Sequence, residues 1–217
     1  MDINQILTYE AALDLNATTT EVKERFSLLQ VTHLPIVQDT KFLGCISLDD
    51  MDSLEHGKTL NDYQYLYNRM AVTANTNWID ALQEFSRHNA NMLPVLDSDG
   101  IYIGYLELEE FIHLLGRTPF LNEPGAVLVL ETAIHNYSSS QISQIIESNN
   151  GKIMSLFVTG LTDNNIECTI KLNSNRINEI VQTFRRYGYN ILSEHLEDTY
   201  VEGLKERSKY LKKFLNI

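Results

Sequence analysis

The order of apolar and polar positions divides the chain into a first part with two similar stretches and a second part of different design. In each similar stretch a polar Thr/Asn segment precedes apolar residues at helical spacing, and two short apolar strands separated by a turn follow. An acidic helix start completes each stretch. The helical stripes are Val22, Phe26 and Leu29, then Ile79, Leu82 and Phe85. The pattern predicts a β-α-β-β-α unit made twice.

The two stretches are also similar in sequence. Leu34-Pro35-Ile36-Val37 recurs 59 positions later as Leu93-Pro94-Val95-Leu96, and Gly44–Met51 matches Gly104–Phe111 at a shift of 60. The extra residue falls in a predicted turn, where a duplication tolerates an insertion. This self-similarity predicts an internal duplication rather than a solenoid, which needs at least three units. The predicted repeats span residues 1–58 and 59–118.

A short segment with two prolines separates the duplication from the second part of the chain, and we predict a linker at residues 119–124. Strand and helix patterns then alternate in the order βαββαβ over residues 125–197. This order is typical of a ferredoxin-like sandwich with its helices on one face of the sheet. The chain is therefore predicted to combine α/β and α+β architecture. The predicted strands are residues 126–134, 153–159, 166–172 and 189–196.

Residues 199–217 predict an amphipathic helix at the C-terminus. Five Lys or Arg residues against two Glu residues give this segment a net charge of +3. Such a helix can lie on a membrane surface or an anionic partner. We favour packing on its own chain or on a dimer mate, with the acidic first half as one candidate surface. The apolar face carries Val201, Leu204, Ser208, Leu211 and Leu215.

Charge and composition narrow the possible partners. The 217 residues include 29 acidic and 17 basic side chains, a net charge of −12, and 18 of the acidic ones lie in residues 1–120. An acidic surface repels phosphate backbones, so nucleic acid is disfavoured. No apolar run approaches the ~18 residues of a membrane helix, and no secretory signal is recognisable. Two cysteines are too few for a disulfide framework, so we expect a cytoplasmic protein without a membrane segment.

The repeated motif resembles the CBS domain, which usually occurs as a tandem pair known as a Bateman module. A Leu-Pro-aliphatic strand, a turn and then Gly-hydrophobic-x-Ser/Thr-x-x-Asp follow in order in the first copy, and a variant of them in the second. The resemblance covers about residues 1–118. It implies that the pair binds adenosyl compounds in clefts between the repeats, where helix N-termini meet the phosphate and a carboxylate accepts the ribose hydroxyls.

Carried over residue by residue, the resemblance implies a nucleotide site in the first copy at His33, Gly44, Ser47 and Asp50. Ser47 would meet the phosphate and Asp50 the ribose, and His33 stands where family members often place a polar or basic phosphate contact. Ser-x-x-Asp is also an abundant N-terminal capping pattern. A purely structural role therefore stays open for Ser47 and Asp50, and also for His33.

The second copy departs from the motif. It keeps Gly104, but Glu107 and Glu110 stand where the motif has Ser/Thr and Asp. Two like charges about 4 Å apart repel by about 1 kcal/mol in water and about 4 kcal/mol at an effective dielectric constant of 20. We therefore expect a degraded second site that takes no nucleotide phosphate. An uncharged nucleoside or no ligand at all are the remaining alternatives.

The second part resembles the ACT domain, a regulatory module that often senses amino acids. The order βαββαβ, the size and the stretch Asn149–Ser155 carry this resemblance. ACT domains that bind amino acids usually have an Asp-x-Pro-Gly-like loop after the first strand, whereas residues 135–140 here contain neither Pro nor Gly. Assembly through strand edges and the exposed sheet is the alternative role. The combination is similar to CBS–ACT regulatory proteins of the acetoin-utilisation type.

No signature of a catalytic or metal site is present, neither GxxxxGK[ST] nor HExxH, CxxC, GxSxG or an EF-hand loop. The sequence favours a non-catalytic regulator without a resident cofactor, whose CBS pair senses an adenine nucleotide or another adenosyl ligand and transmits this to the ACT-like domain or to an unidentified partner protein. The rival hypothesis is a structural adaptor whose ligand sites have decayed, and a hydrolase of nucleotide-like substrates ranks third. We also predict a homodimer, because CBS pairs typically associate through helices and ACT domains through sheets.

Overall fold

The computed structural model of the chain describes residues 2–9 and 12–193. The chain forms two compact units, residues 1–117 and 118–217, and each unit has its own hydrophobic core. The C-terminal helix predicted at residues 199–217 lies outside the described residues. Within the described ranges, no helix combines the length and apolar character needed to cross a membrane.

The first repeat is a three-stranded sheet with one α-helix. It consists of β1 (Leu13–Asp14), α1 (Thr19–Leu29), β2 (His33–Gln38), β3 (Lys41–Ser47) and a 3₁₀ helix (Leu48–Ser53). Strand β1 runs parallel to β2, and β2 is antiparallel to β3. The predicted helical stripe faces the core, because Val22 and Phe26 are buried.

The second repeat follows the same order. It consists of β4 (Val72–Thr73), α2 (Trp78–His88), β5 (Met92–Leu96), β6 (Tyr102–Glu107) and α3 (Leu108–Gly116). Its sheet has the same parallel and antiparallel pairings. The fold predicted for the duplication, a β-α-β-β-α unit made twice, is confirmed. Two further 3₁₀ helices, Ile3–Ile6 and Leu60–Leu66, precede β1 and β4.

The predicted helix starts differ between the repeats. Residues 48–53 form only a 3₁₀ helix with no fully buried side chain, whereas α3 continues to Gly116 and buries Phe111 and Leu114. The first segment carries Asp49 and Asp50 where α3 has Glu109 and Glu110, and aspartate is the poorer helix former. The 3₁₀ helix ends before Leu54, which is buried like its equivalent Leu114 in α3, so the two segments do not differ in this apolar position.

The repeats meet at equivalent positions. Thr32 and Asn91 lie 59 positions apart, and Thr32 N donates to Asn91 Oδ1 at 2.8 Å while Asn91 N donates to Thr32 Oγ1 at 3.0 Å. At the other end of the strands, Lys41 forms a β-bridge with Ile101, which lies 60 positions further on. Because equivalent residues contact each other, an approximate twofold axis relates the two repeats.

The second unit is a four-stranded antiparallel sheet with its two longer helices on one face. It consists of α4 (Pro119–Asn122), β7 (Ala126–Ala133), a 3₁₀ helix (Ile134–Asn136), α5 (Ser139–Ser148), β8 (Lys152–Leu161), β9 (Asn165–Asn173), α6 (Ile177–Arg186) and β10 (Asn190–Ile191). The strand order is β10-β7-β9-β8. Alternate residues of β7 and β9 form one core with α5 and α6. The predicted ferredoxin-like βαββαβ fold is confirmed.

Three boundaries in the second unit differ from the prediction. Most of the predicted linker forms the short helix α4, which Pro119 begins at a position where its missing N–H costs nothing. Strand β8 continues two residues beyond its predicted end at Thr159. Strand β10 is described only at Asn190–Ile191, whereas the prediction spans residues 189–196, of which 194–196 lie outside the described residues.

Candidate functional site

Each repeat has a short segment, here called its arm, that pairs with a strand of the other repeat. The arm of the first repeat contains Thr8, and the arm of the second contains Tyr67 and Asn68. Thr8 pairs with Tyr105 of β6 through two backbone hydrogen bonds of 2.9 Å, and Asn68 pairs with Cys45 of β3 through bonds of 2.7 and 2.9 Å. The arms occupy equivalent positions, since Thr8 and Asn68 are 60 residues apart. Each predicted cleft is therefore bounded by the motif strand of one repeat and the arm of the other.

The motif glycines are the places where the arms approach most closely. Gly44 has φ of +151°, and a Cβ there would lie 2.9 Å from Tyr67 Cβ and 3.2 Å from Asn68 O. Gly104 has φ of +155°, and a Cβ there would lie 2.4 Å from Thr8 O. Both glycines therefore have a structural role in seating the arms, beside the ligand role that the resemblance implies.

His33 begins β2 opposite Ser47, the last residue of β3. Its side chain is buried, with the residue only 5% exposed. The ring Nδ1 lies 2.9 Å from Thr32 Oγ1, and that hydroxyl donates to Asn91 Oδ1 at 3.1 Å. Since a hydroxyl has one proton, Nδ1–H donates to Thr32 Oγ1. The other nitrogen, Nε2, has no hydrogen-bond partner among the described residues.

The electrostatic surroundings of His33 favour its neutral form. Burial is the main cause that lowers the pKa of this imidazole, and the charge of His88 lowers it further. The carboxylates of Asp49 and Asp50 oppose this shift without reversing it. A neutral, buried imidazole with one open nitrogen is an unusual residue to keep at a strand end unless something binds to it.

Ser47 and Asp50 form a cap at the start of the 3₁₀ helix. Asp49 N donates to Ser47 Oγ at 3.1 Å, and Ser47 N donates to Asp50 Oδ2 at 3.3 Å. The capping role that the sequence left open is therefore present. It does not exhaust either side chain, because the Ser47 hydroxyl keeps its proton to donate and Asp50 keeps its second carboxylate oxygen to accept.

Two residues that sequence reasoning missed complete the surroundings of this cleft. Asn68 in the arm lies 3.3 Å from His88 through Nδ2 and Nδ1, and His88 also contacts Glu84 at 3.3 Å. Arg69 follows Asn68 and is exposed. The first cleft thus has His88 close enough to His33 to act on its charge, and His33 lies opposite Ser47. A signal was available in the sequence, since the positions equivalent to His33, His88 and Arg69 carry Met92, Leu29 and Tyr9.

The second cleft has different chemistry on the same backbone frame. Met92 takes the place of His33 and is completely buried, in the apolar cluster against which Leu29 packs. Glu107 precedes α3 without a side-chain capping bond, and Glu110 is exposed in its first turn. Residues equivalent to the first cleft are Met92 for His33, Leu29 for His88, Tyr9 for Arg69, Glu107 for Ser47 and Glu110 for Asp50.

Two open clefts in the first repeat lie away from the predicted contacts. A cleft of about 570 Å³ lies between the start of the repeat and α1, lined by residues such as Leu13, Asn16 and Arg25. Another of about 480 Å³ lies between α1 and the 3₁₀ helix, lined by Phe26, Met51 and others. Neither includes His33, Gly44, Ser47 or Asp50. We give the polar cluster more weight, because shape alone recognises no ligand.

In the second unit, the loop after the first strand, residues 135–140, has a structural role at the start of α5. Ser138 Oγ accepts a hydrogen bond from Gln141 N at 3.2 Å and caps α5, while Tyr189 donates to Gln141 Oε1 at 2.9 Å. Both cysteines of the chain are free and buried, and burial raises the pKa of the Cys45 and Cys168 thiols. Among the described residues, no group of three or more His, Cys, Asp or Glu could hold a metal ion.

Comparison with known families bears on the first unit. Residues 67–117 match the family model of the CBS domain. The matched stretch contains β4 to α3 and the arm residues Tyr67 and Asn68, so the resemblance to CBS domains is supported for the second repeat. The match covers less than half of the chain. No curated protein matches the chain.

Solved CBS structures resemble about half of the chain. A CBS domain pair/ACT domain protein from Thermotoga maritima is 21% identical, with 53% of this chain and 96% of that chain covered and a TM-score of 0.48. CBSX2 in complex with AMP is 22% identical, with 52% and 95% covered and a TM-score of 0.45. The CBS pair of a putative Mg²⁺ transporter from Shewanella oneidensis is 26% identical, with 52% and 69% covered and a TM-score of 0.46.

Proposed function

We propose that this chain is a non-catalytic cytoplasmic regulator that binds one adenosyl ligand, such as AMP or ATP, in the cleft of its first repeat. His33 and Ser47 would meet the phosphate, Asp50 would accept the ribose hydroxyls, and Gly44 would keep the arm at the cleft wall. The second cleft, with Gly104, Glu107 and Glu110, would take no phosphate.

The observation that carries this proposal is that His33, a buried residue, has a ring nitrogen without a hydrogen-bond partner among the described residues, next to a serine hydroxyl that can still donate. His33 Nε2 has no hydrogen-bond partner among the described residues, and the Ser47 hydroxyl on the adjacent strand keeps a proton to donate. Directly opposed residues of antiparallel strands project from the same face of the sheet. A phosphate group could accept from the Ser47 hydroxyl, and from His33 Nε2 once that nitrogen carries a proton.

Calorimetric titration of the full chain with AMP, ATP, NAD and S-adenosylmethionine tests this directly. We expect at least one of them to bind below millimolar concentration, with one site per chain. Asp50→Ala should weaken that binding by about tenfold, because it removes a charge-assisted hydrogen bond of about 1.5–3 kcal/mol. Asp52→Ala is the matched control, since Asp52 is exposed on the same 3₁₀ helix. Absence of binding by all four ligands would refute the proposal.

We further propose that the chain is a homodimer and that the ACT-like unit passes the ligand state to a partner protein. The sheet face opposite α5 and α6 is covered only in part, where Phe120 of α4 contacts Phe157. It leaves Val127 47% and Phe157 42% exposed, which suits assembly through the sheet. A ligand can shift such an assembly only if it binds the two states with different affinity. Light scattering at micromolar concentration should report twice the chain mass, and a monomer would contradict the dimer.

The second candidate function is an adaptor without a ligand. It is favoured by Glu107 in place of the motif Ser/Thr and by a loop at residues 135–140 whose Ser138 serves as a helix cap. In that case a pull-down from cell extract retains a stoichiometric partner, and added nucleotide leaves its amount unchanged. Release or capture of the partner by nucleotide would instead favour the sensor.

A further inference from the structure

The hydrogen-bond connections of His33 fix which of its nitrogens faces an incoming ligand. Thr32 Oγ1 gives its proton to Asn91 Oδ1 at 3.1 Å and accepts from Asn91 N at 3.0 Å. Its remaining lone pair accepts from His33 Nδ1 at 2.9 Å. The neutral ring therefore carries its proton on Nδ1. Nε2 is left with a lone pair and can only accept a hydrogen bond.

A phosphate cannot bind to such a nitrogen. The oxygens of an ionised phosphate are acceptors, and two acceptors facing each other repel. Moving the proton from Nδ1 to Nε2 would not help, because Nδ1 would then lose its bond to the Thr32 hydroxyl. That hydroxyl has no second proton to offer, since the first is held by Asn91 Oδ1. Contact requires a second proton on the ring.

We propose that His33 takes up a proton from solvent when a phosphate group enters the first cleft, so that ligand binding by this chain is linked to pH. This inference rests on the proposed function and specifies how the same site is regulated. The proton adds to Nε2 and forms an imidazolium, which donates from Nδ1 to Thr32 and from Nε2 to a phosphate oxygen.

The charges around His33 favour a ring that takes up its second proton when a phosphate binds, and not in the free protein. In the free protein, burial and the charge of His88 on α2 lower the pKa of His33, against the opposing carboxylates of Asp49 and Asp50 on the 3₁₀ helix. Thr32 and Asn91, the residues directly before β2 and β5 that form its hydrogen-bond network, are uncharged. His88 is itself balanced by Glu84 at 3.3 Å. A bound phosphate would be the one strong negative charge within hydrogen-bond distance of Nε2.

Linkage gives the sign of the pH effect. If the pKa of His33 is higher in the complex than in the free protein, binding takes up protons, and the dissociation constant falls as pH is lowered between the two values. The change can reach about tenfold per pH unit for one proton. The second cleft has no such group, because Met92 stands at the equivalent position.

Histidine NMR of the full chain tests the inference. The ¹³Cε1–Hε1 signal of His33, assigned through its loss in His33→Met, is titrated from pH 8 to pH 5 without ligand and with saturating AMP. We expect its pKa to lie below 6.5 in the free protein and to rise by about one unit or more with AMP bound. The direct reading of the ring avoids confusion with the titration of AMP itself.

His113→Gln is the matched control, because the His113 side chain is 63% exposed on α3 of the second repeat. It should leave the AMP affinity and its pH dependence unchanged, whereas His33→Met should weaken binding and lose the protein's share of the pH dependence. If AMP binds and the pKa of His33 stays within 0.3 units, the inference is wrong while the proposed function stands. If none of the four adenosyl ligands binds, both fall together.

Discussion

The two clefts of the first unit share a backbone frame and differ in nearly every side chain that would meet a ligand. In both, an arm from the other repeat crosses the motif glycine, and a leucine N–H at the helix start donates to the backbone of the junction, Leu48 N to Thr32 O at 2.8 Å and Leu108 N to Asn91 O at 2.9 Å. Only the first cleft has a histidine and a serine at the strand ends. The shared backbone contacts therefore stabilise the fold, whereas the side chains that would meet a ligand can change without altering those contacts.

The difference follows from what each repeat buries. Met92 belongs to an apolar cluster, and its side chain has no N–H or O–H group that needs a hydrogen-bond partner. His33 is buried to a similar degree, but its ring nitrogen is polar and unsatisfied within the described protein. An unsatisfied buried polar group costs about 1–3 kcal/mol. The first repeat keeps this cost at His33, whereas the second avoids it at Met92.

The largest expected effect comes from giving the first cleft the charge of the second. Ser47→Glu places a carboxylate where the phosphate would bind, and repulsion of about 1–4 kcal/mol should weaken AMP binding by about 5- to 1000-fold. Calorimetry measures the change. Ser53→Glu adds the same charge to an exposed position of the same 3₁₀ helix and should have little effect. Equal losses in the two variants would mean that general charge, rather than the site, governs binding.

The motif gave Ser47, Asp50 and His33 from the sequence, because a motif depends on neighbours along the chain. It could not give Asn68 or His88, which reach the first cleft through the pairing of Asn68 with Cys45 and the 3.3 Å contact to His88. Those contacts depend on how the repeats pair about their twofold axis. Comparing the copies position by position would have flagged His88 against Leu29 as a difference in charge, without saying where it lies.

The repeat and strand order were predictable because apolar periodicity and a duplicated motif agree. The length of the second helical segment was not. Leu48-Asp49-Asp50-Met51 and Leu108-Glu109-Glu110-Phe111 have the same pattern, yet only the second continues as an α-helix. Leu114 and its equivalent Leu54 are both buried, so the apolar pattern does not separate the two segments. The difference that the sequence offers is the lower helix propensity of Asp49 and Asp50 compared with glutamate.

The arms provide the next comparison, with a smaller expected effect. Gly104→Ala brings a Cβ to 2.4 Å from Thr8 O, which the backbone must move to relieve, whereas Gly44→Ala brings it to 2.9 Å from Tyr67 Cβ. We expect losses in the free energy of unfolding of about 3 kcal/mol and about 2 kcal/mol respectively. Urea unfolding followed by fluorescence reports on this unit, because Trp78 on α2 is the single tryptophan of the chain.

Gly116→Ala is the control for these two variants, because nothing lies within 4 Å of a Cβ at this helical position. It should leave stability unchanged or raise it slightly, since alanine is the better helix former. If Gly44→Ala and Gly104→Ala were equally harmless, the arms would not be held against the motif strands as the structure has them.

The smallest expected effect is on how stability depends on pH, because His33 titrates whereas Met92, its equivalent in the second repeat, does not. Burial and His88 lower the pKa of His33 in the folded protein, so below about pH 6.5 the unfolded chain binds a proton that the folded one does not. Stability from this group is therefore complete above pH 6.5 and is lost as pH falls toward the folded-state pKa. His33→Met should lose less stability than the native protein between pH 7 and pH 5.5, measured by the melting temperature from Trp78 fluorescence, and identical losses would contradict the assignment. Saturating AMP should reverse this pH dependence, because His33 is protonated in the complex. The native complex should then become more stable, relative to His33→Met, as the pH is lowered.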